Sequence, residues 1–169
     1  MPEQIKREPT DDQVSGIQLL VLDVDGVMTD GRLYFDAAGQ EAKVFHVRDG
    51  YGIKQVMKLG IEVAVISGRR SKALEARIGE LNITHAMLGQ ETKLEALTTI
   101  TDLLAIPMIN VACMGDDLPD LPLLDAAGLG IAVADAHPDI FRIADWCTQL
   151  GGGQGCVREV CDRLVQAKR

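Results

Sequence analysis

The stretch LLVLDVDGVMTD, Leu19 to Asp30, runs from an unbroken apolar segment straight into two carboxylates, Asp23 and Asp25, with a third, Asp30, close behind. A short run that is apolar at every position fits a strand covered on both faces. Two explanations exist for ending such a strand in acids that repel one another. A polar turn is one, because Asp and Gly are ordinary turn residues. A ligand-binding rim is the other, because open α/β sheets bind ligands beyond the carboxyl ends of their strands. The endings of the other strands decide between them.

Four runs share this character: IQLLVLDV, IEVAVIS, MINVACMG and GLGIAVA. Helical patterns separate them. In ETKLEALTTITDLLA, Leu94, Leu97, Ile100 and Leu104 recur every three or four positions and predict one apolar stripe. Val157, Val160, Cys161, Leu164 and Val165 predict a last helix, reached through the glycine-rich GGGQG at about 151–155 and running to about 166. Strands alternating with helices imply an α/β fold with a doubly wound parallel sheet. One stretch departs from the alternation. GRLYFDAAGQEAKVFHVRDG has two β-rich runs around DAAGQ, which predicts an inserted β-hairpin over about 31–48. Residues 1–15 are polar and contain two prolines, the pattern of a loose tail, and residues 16–166 make one domain by length.

The polar residues follow the apolar runs in the same sense each time. The first run ends in Asp23 and Asp25, the second in Ser67, Gly68 and Arg69, the third in Gly115, Asp116 and Asp117, and Lys93 opens the helix before that third run. All would converge on one rim of the sheet. Carboxylates gathered at one point repel unless they are protonated or bridged by a cation, and a hard cation prefers oxygen ligands. Mg²⁺ suits a site with few protein ligands, commonly shared with a phosphate. Ser67 and Lys93 supply a hydrogen bond and a point charge for phosphoryl oxygens.

Composition narrows the alternatives. The net charge of −8, with no basic run to offset it, argues against nucleic-acid binding. Metal and lysine are the local positive charge that an acidic chain needs to hold an anionic substrate. Cys113, Cys147, Cys156 and Cys161 lack the spacing of a zinc or redox motif, and His46, His85 and His137 are scattered; the thiols read as free, small apolar residues in a reducing compartment. The N-terminus lacks the apolar core of a signal peptide and no run approaches a membrane span, so the expectation is a cytoplasmic protein that contacts no membrane.

In order, DVDGVMTD, ISGR, Lys93 and GDDLPD resemble the four motifs of the haloacid dehalogenase superfamily of phosphohydrolases, over roughly Ile17 to Leu164. The resemblance implies that Asp23 is a nucleophile that becomes an aspartyl-phosphate. It implies that Asp25 is the general acid and then the base. Mg²⁺ would be bound by Asp23, the main-chain carbonyl of Asp25, and Asp116. Ser67 and Lys93 would hold the phosphoryl group, with Asp117 and Asp120 as supporting acids.

Spacing refines this. Asp25 and Ser67 are 42 positions apart, Ser67 and Lys93 26, and Lys93 and Asp116 23. The hairpin and a helix use the first gap, and neither of the others admits a cap domain of about 50 residues. Tyr34, Phe35 and Phe45 give the hairpin more aromatic surface than a lone two-stranded ribbon should expose. It is therefore expected to pack on neighbouring subunits, each active site being closed by another chain. DGVMTDG, VRDGYGIK and GGGQGCVREVCD are similar to the capless branch that acts on sugar-acid phosphates, which implies a homotetramer and a role in lipopolysaccharide precursor synthesis. That branch usually carries alanine where Cys156 stands and asparagine where His46 stands. By the same resemblance Arg48, Arg69 and Arg158 would lie near a sugar-acid phosphate. Three other functions remain open: a phosphatase of a nine-carbon sugar acid, a phospho-accepting receiver domain, and a catalytically silent regulatory subunit.

Overall fold

The computed structural model describes residues 8–169. Its centre is β1 (Leu19–Leu22), every residue of which is buried, because strands lie on both sides of it. From β1 the chain passes through an irregular turn at Val24–Met28 and a small hairpin, β2 (Tyr34–Phe35) with β3 (Glu41–Ala42), into helix α2 (Val47–Lys58). β4 (Glu62–Ser67), α3 (Lys72–Leu81), β5 (His85–Leu88) and α4 (Lys93–Leu104) build one side of the sheet. β6 (Val111–Gly115), α5 (Leu121–Ala126), β7 (Leu129–Ala132), α6 (Pro138–Ile143) and β8 (Trp146–Cys147) build the other, and α7 (Cys156–Ala167) closes the chain. The six strands are parallel in the order β5-β4-β1-β6-β7-β8. Leu19 pairs with Glu62 on one side and Val111 on the other, so β1, β4 and β6 end at one level. The chain turns from one half of the sheet to the other around β1, and ligands of doubly wound sheets bind at that switch.

The doubly wound parallel sheet with an inserted hairpin is the fold read from the sequence, with four local corrections. Residues 1–7 of the expected loose tail lie outside the described residues, and the rest of it is folded. Thr10 caps helix α1 (Asp11–Ser15) through a capping box with Gln13, and Val14 is fully buried. The hairpin is shorter than 31–48: only two residues pair on each strand, and Val47 and Arg48 already belong to α2. The stripe of α4 is rotated. Lys93, Ala96, Leu97, Ile100 and Thr101 are buried while Leu94 is 36% exposed, because the inward face begins with Lys93, which is drawn to buried carboxylates. Two edge strands, β5 and β8, carried no clear apolar run.

The remaining helix starts explain residues the sequence left without a role. His46 is the N-cap of α2, its Nδ1 accepting from the backbone N–H of Arg48 at 3.2 Å, and His137 caps α6 through Asp139 in the same way. An imidazole thus stands in for the short polar side chain usual at such a position. α1, α2 and α7 pack together, and α5 packs against both α4 and α6. Within α7, Val157, Val160, Cys161 and Leu164 are buried as its pattern requires, with Val165 only partly so. Cys113, Cys156 and Cys161 are free thiols, and burial pushes all three far above their ordinary pKa.

Candidate active site

The carboxyl ends of β1, β4 and β6 open into one crevice of about 380 Å³, and Asp23, Asp25, Ser67, Lys93, Asp116 and Asp120 all line it. Asp23 leaves β1 5% exposed, and the ammonium of Lys93 donates to its Oδ1 at 2.6 Å. The same ammonium donates to Asp120 Oδ1 at 2.6 Å. Asp120 is itself buried, and its Oδ2 accepts from the backbone N–H groups of Asp116 at 3.0 Å and Asp117 at 3.4 Å. Its role is to seat Lys93 and the loop after β6 at once. Asp117 is exposed and caps the turn that follows, accepting from the N–H of Leu118 at 2.8 Å.

The loop that carries Asp25 is set by Thr29 and by Gly26. The hydroxyl of Thr29 accepts from the N–H groups of Gly26 and Gly31 and donates to the carbonyl of Val24. Gly26 has φ +98°, and a Cβ there would stand 1.9 Å from Asp116 Oδ2, so only glycine lets the loop reach the third carboxylate. The glycine-rich segment is no free hinge. Gly153 donates to the carbonyl of Val27 at 3.0 Å, Gly152 donates to Asp135 at 2.9 Å, and a Cβ at Gly152 would lie 1.9 Å from the carbonyl oxygen of Gly26. Cys156 adds a thiol hydrogen bond to the same Val27 carbonyl at 3.3 Å, a contact an alanine could not make.

Ser67 is 1% exposed at the end of β4, where its Oγ accepts from the N–H of Arg69 at 3.2 Å. It does not cap α3; Ser71 does, accepting from Leu74. Arg69 lines the crevice, with Nε 3.7 Å from Asp25 Oδ2. Arg48 and Arg158 are not brought to it: Arg48 is exposed at the start of α2, while Arg158 pairs with Asp162 at 2.7 Å and lies over the Tyr51 ring. Of two residues that the sequence reading passed over, Lys43 reaches an acid of the site and Glu41 holds Lys43. Lys43 donates to Asp25 Oδ1 at 2.5 Å and to Glu41 Oε1 at 2.9 Å. Their spacing of two, which puts both side chains on one side of an extended segment, was the available signal.

Known proteins with this arrangement can be recognised by sequence and by shape. Residues 86–155 match the model of the haloacid dehalogenase-like hydrolases, a span that holds Lys93 and Asp116–Asp120. Over 156 residues, 92% of this chain and 83% of the relative, the sequence is 49% identical to the 3-deoxy-D-manno-octulosonate 8-phosphate phosphatase of Escherichia coli K12. The chain belongs to this family of haloacid dehalogenase-like phosphatases. The crystal structure of the Yersinia pestis phosphatase superposes with a TM-score of 0.92 at 46% identity, covering 94% of this chain and 85% of that one. The Moraxella catarrhalis phosphatase, solved with magnesium, phosphate and the sugar acid, superposes with a TM-score of 0.91 at 39% identity, over 93% and 90% of the two chains.

The charges of the phosphatase site fit a divalent cation. Asp23, Asp116 and Asp120 each offer an oxygen within 4.8 Å of the others, and Lys93 is the cation hydrogen-bonded among them. The carboxyl of Asp23 is pushed up to about 6 by burial and by repulsion from Asp120, against the pull of Lys93. That of Asp116 is pushed up to about 8 by burial and by repulsion from Asp23 and Asp120. Burial opposes the charge on Lys93, but Asp23 and Asp120 outweigh it and raise its pKa. The cluster is therefore short of positive charge. Both oxygens of Asp120 are already engaged, which leaves Asp23 and Asp116 as the side chains to hold the ion. A site of few carboxylates and open space suits Mg²⁺.

Proposed function

We propose that this chain is a Mg²⁺-dependent phosphomonoester hydrolase that releases phosphate from 3-deoxy-D-manno-octulosonate 8-phosphate, a step in lipopolysaccharide precursor synthesis. The observation that carries the chemistry is the convergence of Asp23, Lys93, Asp116 and Ser67 on one crevice at the switch point of the sheet. The sugar acid rests on the 49% identity to the phosphatase of that name.

Each side chain has one task. A carboxylate oxygen of Asp23 attacks phosphorus in line while the bond from phosphorus to the sugar oxygen breaks, and Asp25 gives that oxygen its proton. Water then attacks the aspartyl-phosphate, Asp25 takes the water's proton, and phosphate leaves Asp23 restored. This is one carboxyl used as nucleophile and another as acid and base. Lys93 and the Ser67 hydroxyl hold phosphoryl oxygens, and Lys93 also holds Asp23 in the attacking position. Asp23, the Asp25 main-chain carbonyl and Asp116 would hold Mg²⁺, which would supply charge neutralisation for the phosphoryl group. Asp117 and Asp120 support this set through the loop after β6.

Arg69 is the substrate-facing arginine of the chain's own crevice. Arg48 and Arg158 would act on a sugar acid only across a subunit boundary. Leu33, Tyr34, Phe35, Val44 and Val47 are all exposed on or beside the hairpin in sequence, which supports a homotetramer whose sites are completed by neighbours. No described helix is long and apolar enough to cross a membrane, and the free, buried thiols of Cys113, Cys156 and Cys161 support a cytoplasmic enzyme. Phosphate release from a panel of sugar phosphates, with Mg²⁺ and with chelator, tests the reading alongside native mass. Preference for the eight-carbon sugar acid with Mg²⁺ is expected; equal turnover of the nine-carbon phosphate would sink the specific substrate, and metal-independent release would sink the mechanism.

A further inference from the structure

The second strand of the hairpin does more than offer apolar surface. Lys43, the residue that follows β3, has a side chain only 2% exposed, although its neighbours Ala42 and Val44 are exposed. Its ammonium bridges Asp25 Oδ1 and Glu41 Oε1. Glu41 Oε1 also accepts from Arg69 Nη2 at 3.3 Å, and Arg69 Nε faces Asp25 Oδ2. The four side chains form a closed ring in which acids and cations alternate. An exposed pair of this kind would contribute little, since water competes for both partners. Here water is largely excluded from Lys43, and both oxygens of Asp25 are faced by ring members from different parts of the chain.

We propose that Lys43 and Glu41 are positioning residues: Lys43 fixes the carboxyl of Asp25, and Glu41 fixes the guanidinium of Arg69 in register with it. This rests on the proposed roles of Asp25 in proton transfer and of Arg69 at the substrate. The hairpin thereby sets the distance between the group that moves the proton and the group that meets the sugar acid. No step of the reaction passes through Lys43 itself. A displaced carboxyl still fits in the crevice, but it no longer meets the leaving oxygen, and misplacement of that size costs rate rather than binding.

Steady-state rates of Lys43→Met, Lys43→Arg and Glu41→Gln test this, on 3-deoxy-D-manno-octulosonate 8-phosphate and on p-nitrophenyl phosphate, whose leaving group departs with little acid assistance. Lys43→Met should lower kcat on the sugar phosphate by about tenfold or more, part of the usual acid–base contribution, with KM held within about twofold and a smaller loss on p-nitrophenyl phosphate. Lys43→Arg should restore most of the rate, because it returns a cation to Asp25. Glu41→Gln should raise KM for the sugar phosphate only. Equal losses on both substrates, an unchanged kcat, or no rescue by arginine would overturn the positioning role. If Lys43→Met does not fold, the KM split of Glu41→Gln decides the matter in the same sense. A wild-type chain that hydrolyses p-nitrophenyl phosphate but not the eight-carbon phosphate would overturn the substrate reading alone, and the Lys43 comparison then runs on an alkyl phosphate that the chain accepts.

Discussion

The ammonium of Lys93 lies 2.6 Å from Asp23 Oδ1, with neither side chain more than 7% exposed. Helix α4 is rotated about this contact, so that an apolar Leu94 faces solvent while a lysine faces the interior. A buried pair of this kind contributes little net stability, yet removing one member leaves an uncompensated charge. Lys93→Met is therefore expected to destabilise the protein by about 3–5 kcal/mol. It should also lower kcat by about 10²-fold or more, since a preorganised charge at the phosphoryl group is lost. Denaturant unfolding and phosphate release measure the two effects separately, and retained activity would remove Lys93 from the mechanism.

Asp25→Asn is the sharpest test of acid and base catalysis. The amide keeps the shape of the side chain but cannot supply or take the proton. Turnover should fall by about 10²–10⁴-fold with the unfolding transition little changed. A receiver domain, which needs no such proton transfer, would still accept a phosphoryl group in this variant; full phosphatase activity would refute the assignment.

Gly26→Ala meets two obstacles at once, a φ of +98° and the carboxylate of Asp116 at 1.9 Å from the new Cβ. The loop must shift away from Asp116. Mg²⁺ affinity, read by calorimetry, should weaken together with kcat. Gly60→Ala is the control, because Gly60 shares the positive φ but has nothing within 4 Å. It should retain both metal binding and activity.

Stability of the metal-free protein should depend on pH through Asp23 and Asp116. Both carboxyls are raised in the folded state, to about 6 and about 8, so their contribution is full below the ordinary carboxylate range near 4 and is lost as pH rises through those values. Mg²⁺ removes the cause. Its stabilising effect, measured as the rise in Tm on adding the ion, should be larger at pH 8.5 than at pH 5.5. An equal rise at both values would contradict the charge balance described for the cluster.

The parts of the site that lie at the ends of long buried strands were legible in the sequence. β1, β4 and β6 each carry an unbroken apolar run, so the residues that stop it stand out, and Asp23, Ser67 and Asp116 do meet in one crevice. The partners of those residues were harder to read. Lys43 and Glu41 look like solvated charges on a polar hairpin, and only the fold shows that they turn inward. Arg48 and Arg158 were joined to the site by resemblance alone, and within one chain they do not line it. GGGQG stands out only as glycine-rich, which in isolation signals freedom; here it signals closeness, with Gly152 against the backbone of Gly26.

That last contact has a consequence for synthesis. The ribosome makes the nucleophile loop early, but one wall of that loop comes from Gly152 and Gly153, which lie far along the chain, beyond β8. A nascent chain can therefore hold Asp23 and Asp25 long before it can use them. Catalytic competence must await that segment, and a chain released before residue 150 should be a phosphatase in sequence but not in action.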